Sequence, residues 1–234
     1  FTDSLLLSCS SLVIDVYEEN SKQVVILDQT AFYPQGGGQP CDKGKIISSN
    51  GVIFTVEDVR NSEGMVKHIG KFEQGVFEKN MSVECLVDKE RRVLHSRIHS
   101  AGHVLDMGLR KLNLQLTSGR GYHFPEGPYN QYFIDKEIDK EKLLIDLERA
   151  CNECIQENHI VKLFVVEKKD LSKYCHMVPD NIPDYKTTRV VMFGDAFGLP
   201  CGGTHVSTLA EIGPMKIKKI KIENNNSIKI SYLV

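Results

Sequence analysis

At Asp88 the hydrophobic pattern of this chain switches from strand-like alternation to the roughly 3.6-residue period of a helix. Upstream, residues 12–17 and 24–27 are rich in β-branched side chains and are separated by a polar turn at 18–21. Further strands are expected at 45–47, 52–56, 66–69 and 82–87, punctuated by Asn50-Gly51, Gly64 and Gly70. Several short strands at this spacing predict a small barrel. Downstream, Asp88 is placed to cap a helix running to about Leu112; Arg91 at its third position makes no capping box. Val93, Leu94, Ile98, Ala101, Leu105 and Leu109 share one broad face of that helix. Strands are expected at 121–124, 129–133, 160–167 and 188–193, with a second helix from about Lys140 to Asn158. A closing hairpin pairs 214–222 with 227–234 across Asn224-Asn225-Asn226. The fold class is α+β: a small N-terminal β-barrel-like domain over residues 1–87, then an α+β domain over 88–234 with helices against an antiparallel sheet.

The chain has 234 residues, enough for two domains and a sizeable core. Its 41% hydrophobic and 26% charged content excludes disorder and collagen. No apolar run approaches the ~20 residues of a membrane helix, so no membrane partner is expected. The start, Phe1-Thr2-Asp3-Ser4, lacks the basic segment of a leader and does not begin with Met, which leaves the native start open. Seven cysteines, an odd number, are scattered at 9, 41, 85, 151, 154, 175 and 201 and read as reduced thiols in a cytoplasmic protein. Cys151 and Cys154 lie on the apolar face of the second helix, which favours a core role over a redox centre. The balance of 29 basic against 31 acidic residues argues against nucleic-acid binding by bulk charge but permits a local patch.

The strongest chemical signal is His99-Ser100-Ala101-Gly102-His103 together with Cys201-Gly202-Gly203-Thr204-His205. Two imidazoles four residues apart on a helix face the same way and can converge on one ion. In the second pair, Gly202 and Gly203 suit a tight loop that brings Cys201 and His205 together. Three His and one Cys suit zinc, one ion per chain. An HxxxH alone is more often a pair of surface or core histidines, and His95 lies four residues before His99, so spacing leaves the choice of pair open. One thiolate with three neutral imidazoles leaves the ion a net positive charge, which favours catalysis; four protein ligands argue the other way, because catalytic zinc keeps a position open. Ser100 stands where a zincin protease needs Glu, and no zinc-finger spacing, Walker A or GxGxxG sequence is present.

A second signal is the loop Asp28-Gln29-Thr30-Ala31-Phe32-Tyr33-Pro34-Gln35-Gly36-Gly37-Gly38-Gln39-Pro40. Flanking aromatics and prolines argue for order over a loose linker, and Gly36, Gly37 and Gly38 let backbone N–H groups approach a ligand beside Gln39. Thr30 offers a hydroxyl. A weaker signal is basic: Lys216, Lys218, Lys219 and Lys221 on one strand, and Arg91, Arg92 and Arg97 on the first helix, are candidates for phosphate contacts, although a solvated face explains each equally well.

Taken together, HxxxH, a CGGTH about 100 residues later, and the TxFYPxGGGQP loop before them resemble the editing domain of alanyl-tRNA synthetase. From about Leu12 to the end, the chain is similar to that domain's freestanding relatives, the AlaX family of trans-editing proteins, in particular the medium-length class; the 119–124 segment Gly-Arg-Gly-Tyr-His-Phe shares that likeness. The resemblance implies His99, His103, Cys201 and His205 as zinc ligands. It also implies hydrolysis, in trans, of the ester joining serine, and also glycine, to alanine tRNA, and it carries a family association with ATP binding. Gly119 stands where some synthetase editing sites carry Gln. A relationship to the threonyl-tRNA synthetase editing domain makes threonine tRNA a remote alternative.

Ester hydrolysis needs an activated water and a stabilised oxyanion. Zinc either lowers the pKa of a bound water or holds the substrate's amino or hydroxyl group. Asp195 is a speculative general base, and the Gly202 and Gly203 N–H groups are candidate oxyanion donors. Thr30 is the expected contact for the serine hydroxyl, which would let the enzyme spare correctly charged alanine tRNA. Two other readings compete: a zinc-dependent hydrolase of small amino-acid esters or amides, and a non-catalytic tRNA-binding module with structural zinc.

Overall fold

The structure, a computed structural model, describes residues 3–135, 137–178, 182, 187–223 and 226–234. These residues form two compact units. One comprises Leu5–Gly36 and Pro40–Val93; the other comprises Phe1–Ser4, Gly37–Gln39 and Leu94–Val234.

The first unit is a closed antiparallel barrel of six strands: β1 (Ser8–Glu19), β2 (Lys22–Leu27), β3 (Gly44–Ser48), β4 (Ile53–Ser62), β5 (Met65–Gln74) and β6 (Ser82–Val87). They run in the order β1-β2-β5-β4-β3-β6, and β6 returns to β1 with Cys9 opposite Cys85. Alternation drives this: in β6 the buried residues are Val83, Cys85 and Val87, with exposed ones between. Val13, Val25, Phe32, Ile46, Phe54, Val56 and Val59 fill the interior. All six strands coincide with expected segments, each longer than or equal to its sequence signal. Closure leaves the sheet without a free edge.

Helix α1 (Lys89–Lys111) begins in this unit and continues in the other. Asp88 caps it as expected, its Oδ1 accepting from the Arg91 N–H at 3.0 Å. The expected apolar face is buried at Ile98, Ala101, Leu105 and Leu109, and Val104 joins it. Val93 and Leu94 depart from the expectation, at 46% and 37% exposed; the buried side chains of those first turns are the polar Arg92, His95 and Ser96.

The second unit holds two antiparallel sheets where the sequence suggested one. Strands β7 (Thr117–Tyr122), β8 (Tyr129–Phe133), β12 (Lys216–Glu223) and β13 (Ser227–Leu233) form a sheet in the order β12-β13-β8-β7. Strands β9 (Val161–Glu167), β10 (Thr187–Phe193) and β11 (Phe197–Pro200) form the other, in the order β11-β10-β9. Helix α2 (Lys140–Gln156), capped by Asp139, packs beside β12; Glu148 accepts from the Ile217 N–H at 2.8 Å. A short helix, α3 (Leu171–Tyr174), lies between β9 and β10. One core joins Ile98, Leu105, Leu147, Cys151, Phe193, Ile217 and Ile230 from both helices and both sheets. Cys151 and Cys154 are buried there, and burial pushes both thiols up. The described cysteines are all free thiols. Within the expected hairpin turn, Asn224 and Asn225 lie outside the described residues, as do Phe1 and Thr2 of the leader reading. Among the described residues no helix is long and apolar enough to cross a membrane.

Candidate active site

In the second unit, α1 and the loop after β11 bring His99, His103, Cys201 and His205 together, with one ligand atom from each lying within 4.8 Å of the others. Cys201 Sγ is 3.5 Å from His99 Nε2 and 3.3 Å from His205 Nε2. His95 is not part of this set, so the ambiguity of spacing resolves to His99 and His103.

A layer of hydrogen-bond partners aims these ligands. The carbonyl oxygen of the buried Gln39 side chain, Oε1, accepts from the Thr204 backbone N–H at 2.9 Å, and its amide nitrogen donates to Thr204 Oγ1 at 2.8 Å. The backbone donor fixes which way the amide points. Gln39 Oε1 must therefore receive the hydrogen of His99 Nδ1, 2.7 Å away, which leaves His99 Nε2 with its lone pair toward the cluster. His205 Nδ1 lies 3.1 Å from Ser100 Oγ, and that oxygen accepts from the Val206 N–H at 3.2 Å. Arg189 donates to the carbonyls of Cys201 and Gly203 at 2.9 and 2.6 Å and to Ser4 Oγ at 3.3 Å. Ser4 Oγ in turn accepts from the His205 N–H at 3.0 Å. Gly203 is required by close approach: a Cβ there would lie 2.0 Å from the His99 ring.

Burial holds His99 and His205 well below the usual imidazole range. At His103 burial works against charge, but Asp106 and the Cys201 sulfur raise it to about 9. Burial likewise opposes ionisation of Cys201, and His103 overcomes it, holding the thiol below its ordinary value. His103 and Cys201 thus each favour the other's charged form, and metal binding there would displace the His103 proton. Both ring nitrogens of His103 are buried without a hydrogen-bond partner, and the nearest carboxylate oxygen, of Asp106, stands 3.7 Å from Nδ1. Such orphaned nitrogens cost about 1–3 kcal/mol each if left unsatisfied. A cation on the cluster would satisfy one of them, and the donor set fits zinc.

His99, His103 and Cys201 of the cluster line a cavity of about 380 Å³, together with Gly202, Gly119, Arg120, Gly121, His123, Asn130 and Tyr132. His123 stacks on His99, ring centroids 4.4 Å apart, and burial followed by the nearby His103 lowers it to about 3. Sequence reasoning did not single out His123, Asn130, Asp106 or Tyr232 for the site. Only the 119–124 segment gave any signal, because their roles depend on neighbours distant along the chain.

Other expected site residues fall elsewhere. Gly37 lines the cavity; Gly38 accepts from the His123 N–H at 2.8 Å and takes a φ of 77°. Gln39, expected to touch substrate, is fully buried behind His99. Gly203 is corrected as an oxyanion donor, since its N–H points at Cys201 Sγ, 3.4 Å away, whereas Gly202 lines the cavity. Asp195 is corrected as a general base: its side chain is 92% exposed and ion-paired with Lys162 at 2.8 Å, and it does not line the cavity.

In the barrel unit, Gly36 accepts from the Tyr33 hydroxyl at 3.0 Å. Thr30 Oγ1 accepts from the Phe32 N–H at 3.0 Å and lies 2.8 Å from His68 Nε2. His68 Nδ1 must donate to the Val25 carbonyl at 2.9 Å, so the Thr30 proton goes to Nε2. Arg92 is corrected as a phosphate contact. It is 1% exposed, and its guanidinium pairs with Asp42 and donates to the Ala31 and Leu6 carbonyls. Arg91 donates to the Cys41 carbonyl at 2.9 Å, and Arg97, in the second unit, to the Ile212 carbonyl at 2.8 Å. Lys216, Lys218 and Lys219 are exposed along β12, an edge strand of its sheet.

Two family descriptions match the chain: class II (A) tRNA synthetases over residues 6–91, and the threonyl and alanyl tRNA synthetase second additional domain over residues 188–229. The second match contains Cys201 and His205. Among curated relatives, the alanyl-tRNA editing protein AlaX-L of Pyrococcus horikoshii is 31% identical over 99% of this chain and 56% of its own length. The alanine–tRNA ligase of Clostridioides difficile is 30% identical over 86% of this chain, which spans 23% of that enzyme. The alanyl-tRNA editing protein AlaX-M of Methanosarcina barkeri is 30% identical over 86% of this chain and 83% of its own length. That match over most of both chains, together with both family descriptions, shows that the chain belongs to the AlaX family of alanyl-tRNA editing proteins.

Proposed function

We propose that this chain hydrolyses, in trans, the ester bond of mischarged alanine tRNA, removing serine and also glycine. The observation that carries the reading is the convergence of three imidazoles and one cysteine sulfur, with His99, His103 and Cys201 lining a cavity of about 380 Å³, in a chain of an editing family. His99, His103, Cys201 and His205 would hold one zinc ion, which when bound supplies Lewis acidity to the site. Gln39, Ser100 and Arg189 keep the ligands and their loop in place, and the Gly202 N–H remains a candidate donor to the developing oxyanion. Thr30 is the proposed selector for serine. Its own proton is committed to His68, so it acts as an acceptor and the serine hydroxyl donates to it. Exposed Lys216, Lys218 and Lys219 are proposed to meet tRNA phosphates.

The deciding experiment is deacylation of alanine tRNA charged with serine, glycine or alanine, with zinc and after its removal. Release of serine and glycine but not alanine, lost on chelation and in His103→Ala, is expected. Equal hydrolysis of all three esters, or full activity of His103→Ala, would overturn the reading.

A further inference from the structure

Two residues that line the cavity, His123 and Asn130, each carry an acceptor that no described protein donor satisfies. His123 Nδ1 lies 2.8 Å from the Tyr232 hydroxyl, and that hydroxyl is 2.9 Å from the Ile98 carbonyl. A carbonyl only accepts, so the phenol proton belongs to Ile98 and the hydrogen of the neutral imidazole must sit on Nδ1. His123 Nε2 is then a bare lone pair. Asn130 follows the same logic. Its nitrogen donates to the Gly102 carbonyl at 2.8 Å, which fixes the amide, and its Oδ1 is buried without a partner. Both residues line the cavity that His99, His103 and Cys201 bound.

The chain keeps room for this arrangement. A Cβ on Gly102 would come within 2.4 Å of the His123 ring, and one on Gly121 within 2.8 Å of its Nε2. That same Gly121 position is 3.6 Å from Asn130 Oδ1, so the missing side chain keeps the space beside both acceptors clear. Stacking on His99 further restrains the imidazole. Two fixed acceptors suit one donor with at least two hydrogens. A hydroxyl has one; an amino group has two or three. Asp106, on the same cavity, adds negative charge suited to an ammonium.

We propose that His123 Nε2 and Asn130 Oδ1 form the seat for the α-amino group of the bound aminoacyl ester. This rests on the editing function proposed above. The seat recognises a feature that serine and glycine share and leaves the serine hydroxyl to be read elsewhere. It also sets the orientation of the ester carbonyl beside the metal ligands.

The test compares two non-hydrolysable adenosine amides, 3′-serylamino and 3′-(3-hydroxypropionyl)amino, which differ only in the α-amino group. Binding is measured by calorimetry on the wild-type protein and on His123→Phe, which retains a ring to stack on His99. Wild type is expected to prefer the amino compound by about 10- to 100-fold, the range of one or two hydrogen bonds to an ionic group, and His123→Phe to lose most of that preference. Long-range nitrogen–proton NMR of the wild-type protein should place the His123 hydrogen on Nδ1, a readout that needs neither substrate nor folded variants. Equal wild-type affinity for the two amides, an undiminished preference in a folded His123→Phe, or a hydrogen on Nε2 would each overturn the proposal. If wild type binds the amino compound selectively yet releases no serine from tRNA, the seat stands and the editing function falls.

Discussion

Replacing Gln39 with Leu tests the idea that the metal ligands are aimed by their hydrogen-bond partners. The side chain is fully buried and its oxygen takes two hydrogens, from His99 Nδ1 at 2.7 Å and from the Thr204 N–H at 2.9 Å. Leucine matches its volume closely but accepts neither. Two buried donors left unpaired cost about 2–6 kcal/mol together; the Thr204 hydroxyl oxygen, which loses the Gln39 amide donor, keeps Ser96 as its donor. The His99 hydrogen is then free to move to Nε2, the atom the metal needs, and loss of such a partner lowers metal affinity by about 10- to 100-fold. Zinc affinity is read by competition with a chromophoric chelator, and stability by thermal unfolding with and without metal. Gln39→Glu keeps an acceptor for both hydrogens and is expected to retain most of the affinity. If Gln39→Leu binds zinc as tightly as the parent, the proposed aiming role is refuted.

Other outcomes follow from the same contacts. Arg92→Leu strands the buried Asp42 carboxylate and should destabilise the barrel by about 3–5 kcal/mol in urea unfolding, with no change in the salt dependence of tRNA binding. His68 is lowered to about 4 by burial, below an unfolded value near 6.5, so the unfolded chain binds the proton first. Its contribution to stability is complete above pH 6.5 and is lost as pH falls toward 4, amounting to about 2 kcal/mol at pH 5. The difference in unfolding free energy between pH 7 and pH 5 should shrink by that amount in His68→Gln; an unchanged difference counts against it. Thr30→Val should narrow the gap between serine and alanine release and, by leaving His68 Nε2 without its donor, lower the melting temperature; unchanged rates for both esters argue against the selector role. Replacing Lys216, Lys218 and Lys219 together with Gln should weaken tRNA binding and flatten its salt dependence, and an unaltered salt slope removes them from the interface.

The barrel was legible because its strands alternate, inward residue by outward residue, as Val83, Cys85 and Val87 do. Strand β11 was not: Phe197-Gly198-Leu199-Pro200 has the composition of a loop and becomes a strand only through its pairing with β10. Exposed Val93 and Leu94 and buried Arg92 share a cause, since hydropathy does not reveal which side of a helix finds a partner. The His/Cys cluster was legible because its two residue pairs keep four-residue spacing. Gln39 and His123 were not read as its supports, because a buried amide or imidazole takes its role from atoms far away in sequence, here Thr204 and Tyr232. Asp195 shows the converse: proximity in sequence to the CGGTH loop did not bring its carboxylate to the cavity.

The hydroxyl of Ser4 grips the loop of His205 and the guanidinium of Arg189, so 201 and 185 residues separate it from its partners in one small knot. During synthesis from the N-terminus, Ser4 leaves the ribosome long before either partner exists. The ligand loop can reach its final form only once the 201 residues that follow Ser4 have emerged. Until then the two histidines of α1 stand without Cys201 and His205, and a nascent chain has no complete candidate ligand set. Replacing Ser4 with Ala would reach the same end in the finished protein, loosening a loop 201 residues downstream.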